Sequence, residues 1–279
     1  MVIDSNTKLC LVIGDPVAHS LSPAMHNAAY EALGLGSQYL FLPSKVTAAD
    51  LAIKMSEVKE SPSIHALAVT IPHKETIIKY LNVLDETAKT IGAVNTVLKV
   101  NGKLLGYNTD CYGAIESLKK HTELSGKKAA VLGSGGSARA IIYGLVKEKC
   151  HVLVYSRNIE KAKELANEFG CEIAEWEKRN SMTGVDMLIN ATNIGRDGKE
   201  LPISEDVITS KHIVFDINYN AKGTSLLNAA KRKGAIVIDG LEMLLRQGML
   251  QFEIYTGLKA PEEAMSNALK NKVDHANAV

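Results

Sequence analysis

Residues 129 to 138 read Ala-Ala-Val-Leu-Gly-Ser-Gly-Gly-Ser-Ala, an apolar run followed at once by a glycine-rich loop. The run has the length of a buried strand, and apolar residues recur at helical spacing beyond the loop. Glycines between a strand and a helix are typical of dinucleotide binding, because the backbone can approach a pyrophosphate at the helix N-terminus. The alternative is a turn that is rich in glycine for packing alone. The predicted cofactor-binding residues of the loop are Gly133, Ser134, Gly135, Gly136, Ser137 and Ala138.

Four more apolar runs of strand length follow, at 152–155, 187–189, 213–215 and 235–238. They do not alternate with polar residues, which favours strands that are buried on both faces of a sheet. Helical or long connecting segments separate most of them. Such alternation predicts a doubly wound parallel sheet with right-handed crossovers. We therefore predict that the second half of the chain is a nucleotide-binding domain.

The end of the strand after the glycine loop indicates which dinucleotide is bound. An NAD site usually carries Asp or Glu there, which holds the ribose 2′-OH. This chain instead has Ser156-Arg157-Asn158, with Lys161 one helical turn later. Arg and Lys suit a 2′-phosphate because they form charge-assisted hydrogen bonds with it. NADP is therefore favoured over NAD, and the alternative is that both residues are ordinary surface cations.

The first half of the chain alternates less regularly between strands and helices. Strands are predicted at 9–13, 39–42 and 66–71, and helices at about 23–33 and around 51–58. Asn101-Gly102, between the segments 97–100 and 103–107, has the chemistry of a two-residue hairpin turn. An amphipathic helix after the last strand and a final helix beyond Pro261 complete the chain. These elements predict a second, separate α/β domain.

Three polar residues of the first half have both a structural and a chemical interpretation. Ser22 precedes Pro23 and can cap a helix, and Asp110 taken alone is also interpreted as a helix N-cap. Lys74 lies just beyond a predicted buried strand, where a partly desolvated lysine can donate or accept a proton. Taken alone, Lys74 is more simply a surface lysine.

Composition excludes several classes of protein. The chain has 279 residues, and 32 Lys plus Arg against 31 Asp plus Glu give a net charge of +1, so no basic field attracts nucleic acid or anionic lipid. Apolar stretches are much shorter than the roughly 20 residues that span a bilayer, and the N-terminus lacks a signal-peptide profile. We therefore expect a cytoplasmic protein with no nucleic-acid or membrane partner. The cysteines and histidines show no ligand-like spacing, so no metal site is predicted.

Eight motifs, in order along nearly the whole chain, resemble those of the shikimate dehydrogenase family. Those of the first half are Ser20-Leu21-Ser22-Pro23, Val69-Thr70-Ile71-Pro72-His73-Lys74-Glu75, Gly92-Ala93-Val94-Asn95-Thr96 and Gly106-Tyr107-Asn108-Thr109-Asp110. Those of the second half are the glycine loop, Ile189-Asn190-Ala191-Thr192, Asp216-Ile217-Asn218-Tyr219 and Asp239-Gly240-Leu241-Glu242-Met243-Leu244, with Gln247 beyond. The resemblance implies two α/β domains with a cleft between them. It implies a substrate-binding domain at 1–108 plus 242–279 and a Rossmann-type NADP-binding domain at 109–241.

The resemblance also implies an activity, the reduction of 3-dehydroshikimate to shikimate by NADPH in aromatic amino-acid biosynthesis. It implies that Lys74 and Asp110 are the catalytic pair. The implied substrate contacts are Ser20, Ser22, Thr70, Asn95 and Gln247. Besides the glycine loop, the implied cofactor contacts are Ser156, Arg157, Asn158, Lys161, Thr192, Tyr219 and Gly240.

Several positions depart from the family pattern, and two of them bear on the site. Ala68 stands where the family usually has Asn, so one substrate hydrogen bond is missing or comes from another group. Arg196 stands where Met is frequent, which can alter the wall of the nicotinamide site. The alternatives are a quinate/shikimate dehydrogenase with relaxed substrate or cofactor choice, and a non-catalytic ligand-sensing regulator on the same fold. The sequence leaves the oligomeric state open, a homodimer included.

Overall fold

The computed structural model describes residues 3–220 and 222–278. The chain divides into two compact units. Unit 1 comprises Met1–Thr109 with Gln247–His275, and unit 2 comprises Asp110–Arg246 with Ala276–Val279. The first two changes of unit come after Thr109 and after Arg246, and the predicted domain boundaries are after residues 108 and 241. The second change falls inside one helix, Gly240–Thr256, and a helix that continues through a boundary gives no sequence signal for it.

The α-helices, in chain order, are α1 (Ser22–Ala32), α2 (Leu51–Glu60), α3 (Glu86–Ile91), α4 (Thr109–Lys119), α5 (Gly136–Lys147), α6 (Ile159–Phe169), α7 (Ser225–Arg232), α8 (Gly240–Thr256) and α9 (Glu262–Ala278). Short 3₁₀ helices lie at Thr76–Tyr80, Trp176–Ser181 and Glu205–Val207. No helix of the described ranges is both long enough and apolar enough to cross a membrane.

Unit 1 is built on a mixed six-stranded sheet. Its strands are β1 (Lys8–Gly14), β2 (Tyr39–Lys45), β3 (Ile64–Val69), β4 (Val83–Leu84), β5 (Thr96–Val100) and β6 (Lys103–Tyr107). Their order across the sheet is β2-β1-β3-β5-β6-β4. The β5–β6 hairpin is antiparallel, and Asn101 and Gly102 at its turn both have positive φ, which confirms the predicted two-residue turn. The strand predicted at 66–71 ends at Val69, because Pro72 has no N–H and disfavours continued pairing.

Aromatic side chains fill one face of the unit 1 sheet. The His26 ring of α1 stacks on Phe41 with 4.4 Å between ring centroids, and Phe252 of α8 lies 5.5 Å from Tyr30. His26 is completely buried, and this burial lowers the pKa of its imidazole to about 3. The neutral ring therefore packs as a core aromatic residue.

Unit 2 is built on a six-stranded sheet that is parallel throughout. Its strands are β7 (Lys128–Leu132), β8 (His151–Ser156), β9 (Glu172–Glu175), β10 (Met187–Asn190), β11 (Ile213–Asp216) and β12 (Ile236–Asp239). The order is β12-β11-β10-β7-β8-β9, so the chain runs outward from β7 to β9 and then returns to β10. This confirms the predicted doubly wound sheet and puts its topological switch point between β7 and β10. Sequence patterning missed β9 because that edge strand is short and begins and ends with glutamate.

A buried carboxylate ties the carboxyl ends of β10 and β11 together. Asp216 Oδ1 accepts hydrogen bonds from Asn190 Nδ2 at 3.0 Å and from Asn218 N and Nδ2 at 3.1 and 2.9 Å. Asp216 is completely buried, and burial raises the pKa of its carboxyl from 3.8 to about 6 despite these hydrogen bonds. The folded protein thus holds a proton on Asp216 more tightly than the unfolded chain does.

The sign of this shift sets the pH dependence of stability. The contribution of Asp216 to folding is most favourable below about pH 4 and is lost as the pH rises through about 6. The difference between the two pKa values corresponds to about 3 kcal/mol.

Asp216→Asn keeps an oxygen acceptor without the charge. We predict that the unfolding free energy of wild type, relative to this variant, falls by about 2 kcal/mol between pH 4 and pH 7 in urea titrations, because the unfolded carboxyl is already partly ionised at pH 4. The same difference at both pH values would contradict this.

Candidate active site

Unit 1 contains a buried network of amide and hydroxyl groups around Asn95, which lies between α3 and β5. Asn95 Oδ1 accepts a hydrogen bond from the backbone N–H of Thr109 at 2.7 Å. Because a backbone N–H can only donate, the atom that it contacts must be the oxygen of the Asn95 amide and not the nitrogen. Asn95 Nδ2 therefore points toward Thr109 Oγ1, to which it donates at 2.8 Å. The orientation of the Asn95 amide is thus fixed by the backbone.

Gln247 of α8 joins this network from a distant part of the sequence. Its Oε1 accepts from Asn95 Nδ2 at 3.2 Å and from Thr109 Oγ1 at 3.3 Å. Because both contacts need Oε1, the Nε2 group of Gln247 is turned away from Asn95. The structure therefore brings together two of the predicted substrate-binding residues, Asn95 and Gln247, inside one unit.

Thr96 and Gln251 support Asn95 from the side of the core. Thr96 Oγ1 donates to Asn95 Oδ1 at 2.8 Å, and Gln251 Nε2 donates to Asn95 O at 3.1 Å and to Thr96 Oγ1 at 2.9 Å. Thr96 and Thr109 belong to the motifs that resemble the family's, but no function was predicted for either, and Gln251 was not predicted. Gln251 lies four residues after Gln247 on the same helix, a spacing that puts both side chains on one helix face and could have revealed it.

The serines at the start of α1 differ from their predicted arrangement. Ser22 is the first residue of the helix and is buried, and its backbone N–H donates to Ser20 Oγ at 3.3 Å. The hydroxyl that receives a backbone N–H here is therefore that of Ser20, and the capping interpretation of Ser22 is wrong. Ser20 is only partly buried.

Thr70 and Lys74 lie just after the carboxyl end of β3, as predicted. The Thr70 backbone N–H donates to Ile13 O at 2.9 Å, and the Lys74 carbonyl accepts from Val94 N at 2.7 Å. The second bond ties the backbone of Lys74 to the segment that leads directly into Asn95. Both side chains are partly exposed.

Asp110 is the first residue of unit 2 and directly follows Thr109 of the network. It lies in the first turn of α4, which begins at Thr109, so the interpretation of Asp110 as the N-cap is wrong. Its side chain is buried, and a carboxylate in a first turn is stabilised by the helix dipole.

The glycine loop of unit 2 connects β7 to α5. Gly133 has φ +116°, and a Cβ on it would lie 2.9 Å from Ala191 O, so glycine is required there. Gly135 precedes the helix and has no side chain that could accept from its first N–H groups. A Cβ on Gly135 would meet no atom of the described residues within 4 Å. The loop thus combines a helix N-terminus with open space beside its backbone, which fits a phosphate group.

The residues at and just after the end of β8 each make a different kind of contact. Ser134 Oγ and Ser156 Oγ are 2.8 Å apart, so this contact joins the glycine loop to β8. Asn158 Oδ1 caps α6 by accepting from Lys161 N at 3.0 Å. Arg157 is exposed, and its guanidinium lies 5.9 Å from the centroid of the Trp176 ring. An exposed Arg at this position, without a neighbouring acid in the sequence, fits a 2′-phosphate.

The other predicted cofactor contacts follow β10, β11 and β12. Thr192 Oγ1 donates to Asn190 Oδ1 at 2.7 Å, and Asn218 Nδ2 donates to Thr192 O at 2.7 Å. Gly240 begins α8, and a Cβ on it would lie 2.3 Å from Ile217 O, so no larger residue fits. Tyr219 is partly buried. These positions all follow carboxyl ends of the unit 2 strands, the edge at which open parallel sheets bind ligands.

Comparison with known families gives matches over most of the chain. The sequence model of the shikimate dehydrogenase substrate-binding domain matches residues 12–97. That of shikimate/quinate 5-dehydrogenase matches residues 116–213, and that of the shikimate 5′-dehydrogenase C-terminal domain matches residues 240–270.

Individual proteins agree with these matches. The shikimate dehydrogenase (NADP(+)) of Carboxydothermus hydrogenoformans is 40% identical over 96% of this chain and 99% of its own length. The crystal structure of shikimate dehydrogenase from Aquifex aeolicus is 39% identical, with a TM-score of 0.89 and coverage of 96% and 100% of the two chains. The Thermus thermophilus enzyme in complex with NADP(H) and shikimate is 36% identical, with a TM-score of 0.85 and coverage of 95% and 100%. This chain therefore belongs to the shikimate dehydrogenase family.

Proposed function

We propose that this protein reduces 3-dehydroshikimate to shikimate with NADPH, and that unit 1 binds the substrate while unit 2 binds the cofactor. The observation that carries this proposal is the buried network around Asn95, in the unit whose sequence matches the shikimate dehydrogenase substrate-binding domain. Shikimate is a small carboxylate with several hydroxyl groups. An array of fixed amide and hydroxyl groups can form a hydrogen bond with each hydroxyl of such a ligand. An analogue that lacks one hydroxyl would leave a buried polar group of the site unpaired, so the site rejects it.

The proposed substrate contacts are Ser20, Ser22, Thr70, Asn95 and Gln247. Of these, Asn95 and Gln247 have amide orientations that are set by the protein before any ligand binds. Pre-oriented groups lose little conformational freedom on binding, so more of their hydrogen-bond energy contributes to affinity. The network therefore supports selective binding of one arrangement of hydroxyl groups.

The proposed catalytic residues are Lys74 and Asp110. When bound, NADPH supplies the hydride that reduces the ketone carbon. The ketone oxygen must then gain one proton, and the Lys74 ammonium donates it and stabilises the negative charge that develops on that oxygen. The Asp110 carboxylate accepts a hydrogen bond from a substrate hydroxyl and orients the ring. In the reverse direction, Lys74 takes the proton from the shikimate hydroxyl.

Residues of unit 2 would hold the cofactor. The N–H groups at the start of α5 bind the pyrophosphate, with Gly133, Gly135 and Gly136 giving the backbone room to approach it. Arg157 and Lys161 bind the 2′-phosphate. The segments after β10, β11 and β12 contribute Thr192, Tyr219 and Gly240. The cytoplasmic location stays a prediction from the sequence.

Initial rates test the proposed function directly. Purified protein is assayed with shikimate or quinate, each with NADP or NAD, by the absorbance of the reduced cofactor. We expect the highest kcat/KM with shikimate and NADP. Faster turnover with quinate or NAD would contradict the assignment, and so would the absence of turnover with all four pairs.

Lys74→Ala should lower kcat by roughly a hundredfold to ten-thousandfold, the usual contribution of a positioned acid or base. Binding of NADP, measured by calorimetry, should stay within twofold of wild type because Lys74 belongs to unit 1. Lys79→Ala, at an exposed lysine of the following 3₁₀ helix, is the control and should retain wild-type rates. Equal rates for Lys74→Ala and the control would refute the catalytic assignment.

Arg157→Ala should weaken NADP binding by about 1 to 3 kcal/mol, or roughly 5- to 150-fold in Kd, because a charged hydrogen bond to the 2′-phosphate is lost. The Kd for NAD should hardly change. Lys163→Ala, at an exposed lysine of α6 that pairs with Glu160, serves as the control. If Arg157→Ala weakened both cofactors equally, Arg157 would not recognise the 2′-phosphate.

Ala68→Asn tests the departure from the family pattern. Ala68 is buried on β3 and lies directly opposite Thr96 of β5, so an added amide would enter beside the Asn95 network. A gained substrate hydrogen bond contributes about 0.5 to 1.5 kcal/mol and should lower KM for shikimate a few-fold. Ala68→Leu adds a similar volume without an amide and should raise KM. If both variants raised KM, overpacking would outweigh any new hydrogen bond.

A further inference from the structure

Trp176, the only tryptophan of the chain, lies beside two arginines of unit 2. It begins the 3₁₀ helix Trp176–Ser181, directly after β9. The guanidinium of Arg179 lies 4.4 Å from the centroid of its ring, and that of Arg157 lies 5.9 Å from it. Both distances are within the range of a cation–π contact. One indole ring therefore contacts a cation from its own turn and a second cation from the segment after β8.

Arg179 is held rigidly and in turn holds the ring. Its Nε donates to Pro202 O at 2.9 Å, and its Nη1 donates to Trp176 O at 3.0 Å. These two bonds fix the guanidinium plane against the indole at the shorter of the two distances. The ring also packs against the unit 2 core cluster that contains Met182 and Ile203. Trp176 is thus a fixed, partly buried surface beside Arg157.

Arg157 differs from several exposed cations of unit 2 in the kind of neighbour that its charged group has. Lys163, Lys178 and Arg232 each lie within ion-pair distance of a glutamate. The guanidinium of Arg157 instead faces an aromatic ring. A carboxylate would neutralise the guanidinium and occupy its N–H donors, whereas a ring restricts its motion and leaves both the charge and the donors available to an anion.

We propose that Trp176 is a positioning residue that determines cofactor specificity: its ring, fixed by Arg179, holds the Arg157 guanidinium ready for the 2′-phosphate of NADP. The inference rests on the proposed function, since it assigns Arg157 to that phosphate. A flexible arginine loses side-chain freedom when it binds an anion, and a preformed contact reduces that loss. The discrimination between NADP and NAD therefore depends on Trp176 as well as on Arg157.

Binding of 2′,5′-ADP and 5′-AMP tests this inference, because the two probes differ by the 2′-phosphate and carry no nicotinamide. Calorimetry with the full chain should show that Trp176→Leu weakens 2′,5′-ADP binding by roughly two- to fivefold, the range of an exposed cation–π contact. Binding of 5′-AMP should not change. Trp176→Phe retains a ring and should weaken 2′,5′-ADP binding less than Trp176→Leu does.

A double-mutant cycle shows whether Trp176 acts through Arg157. In the Arg157→Ala background, Trp176→Leu should cause no further loss of 2′,5′-ADP affinity. The same loss in both backgrounds would overturn the inference. Equal weakening of 2′,5′-ADP and 5′-AMP would also overturn it, since it would mean that the ring stacks on the adenine or supports the fold. If wild type bound 2′,5′-ADP and 5′-AMP equally, the assignment of NADP as the cofactor would fail. That outcome is measured on wild type alone, so it can be distinguished from a failure of the inference about Trp176, which is measured on the variants.

A second measurement requires no change at Trp176. Because the chain has one tryptophan, its intrinsic emission reports on the surroundings of this ring. Saturating 2′,5′-ADP should change the emission of wild type, since Arg157 gains an anionic partner beside the indole. The same ligand at saturation should leave the emission of Arg157→Ala unchanged. An unchanged emission in wild type, or an equal change in both proteins, would contradict the proposed contact.

Discussion

The backbone N–H of Thr109 donates to Asn95 Oδ1 at 2.7 Å, and the polar arrangement of unit 1 depends on this contact. A backbone N–H can only donate, so it determines which end of the Asn95 amide is the acceptor. The opposite end then faces Thr109 Oγ1 and Gln247 Oε1, which orients the Gln247 amide as well. Two side chains that are far apart in the sequence are thus held in one relative orientation by a single fixed donor.

Burial raises the free-energy cost of any other orientation of these two amides. An unsatisfied polar group in the interior costs about 1 to 3 kcal/mol, so an amide turned the wrong way is strongly disfavoured. Asp216 has a comparable effect in unit 2, where it accepts three N–H groups at the carboxyl ends of β10 and β11. In both units a buried polar centre fixes backbone segments that carry proposed ligand contacts. The two centres differ in charge, and only Asp216 makes stability depend on pH near neutrality.

Much of the fold could be predicted from the sequence because its signals are local. Unalternated apolar runs predicted five strands of unit 2, and Asn101-Gly102 predicted the hairpin turn of unit 1. The edge strand β9 was missed, since its four residues begin and end with glutamate. The chain passes from unit 2 to unit 1 inside α8, and helix periodicity that continues through such a point gives no sequence signal for it.

The site was only partly predictable, because its organisation depends on contacts between distant residues. Motif resemblance supplied Asn95, Gln247 and Lys74. It did not supply Gln251, whose contact with Asn95 joins residues 156 positions apart. The capping interpretation of Ser22 was wrong because a short-range signal cannot distinguish it from Ser20, whose hydroxyl accepts the backbone N–H. Trp176 also had no motif, since its contact with Arg157 depends on how the segment after β9 returns beside β8.

We propose that the protein orients the Asn95 and Gln247 amides before shikimate binds. A crystal structure of the protein with shikimate tests this most directly. Asn95 Nδ2 has two N–H groups, and both already donate, to Thr109 Oγ1 and to Gln247 Oε1. We therefore expect a shikimate oxygen to replace one of these two acceptors at Asn95 Nδ2 and another to lie within hydrogen-bond distance of Gln247 Nε2, with Asn95 Oδ1 still accepting from the Thr109 N–H. An amide of Asn95 that has turned over, or shikimate bound away from both side chains, would contradict the claim.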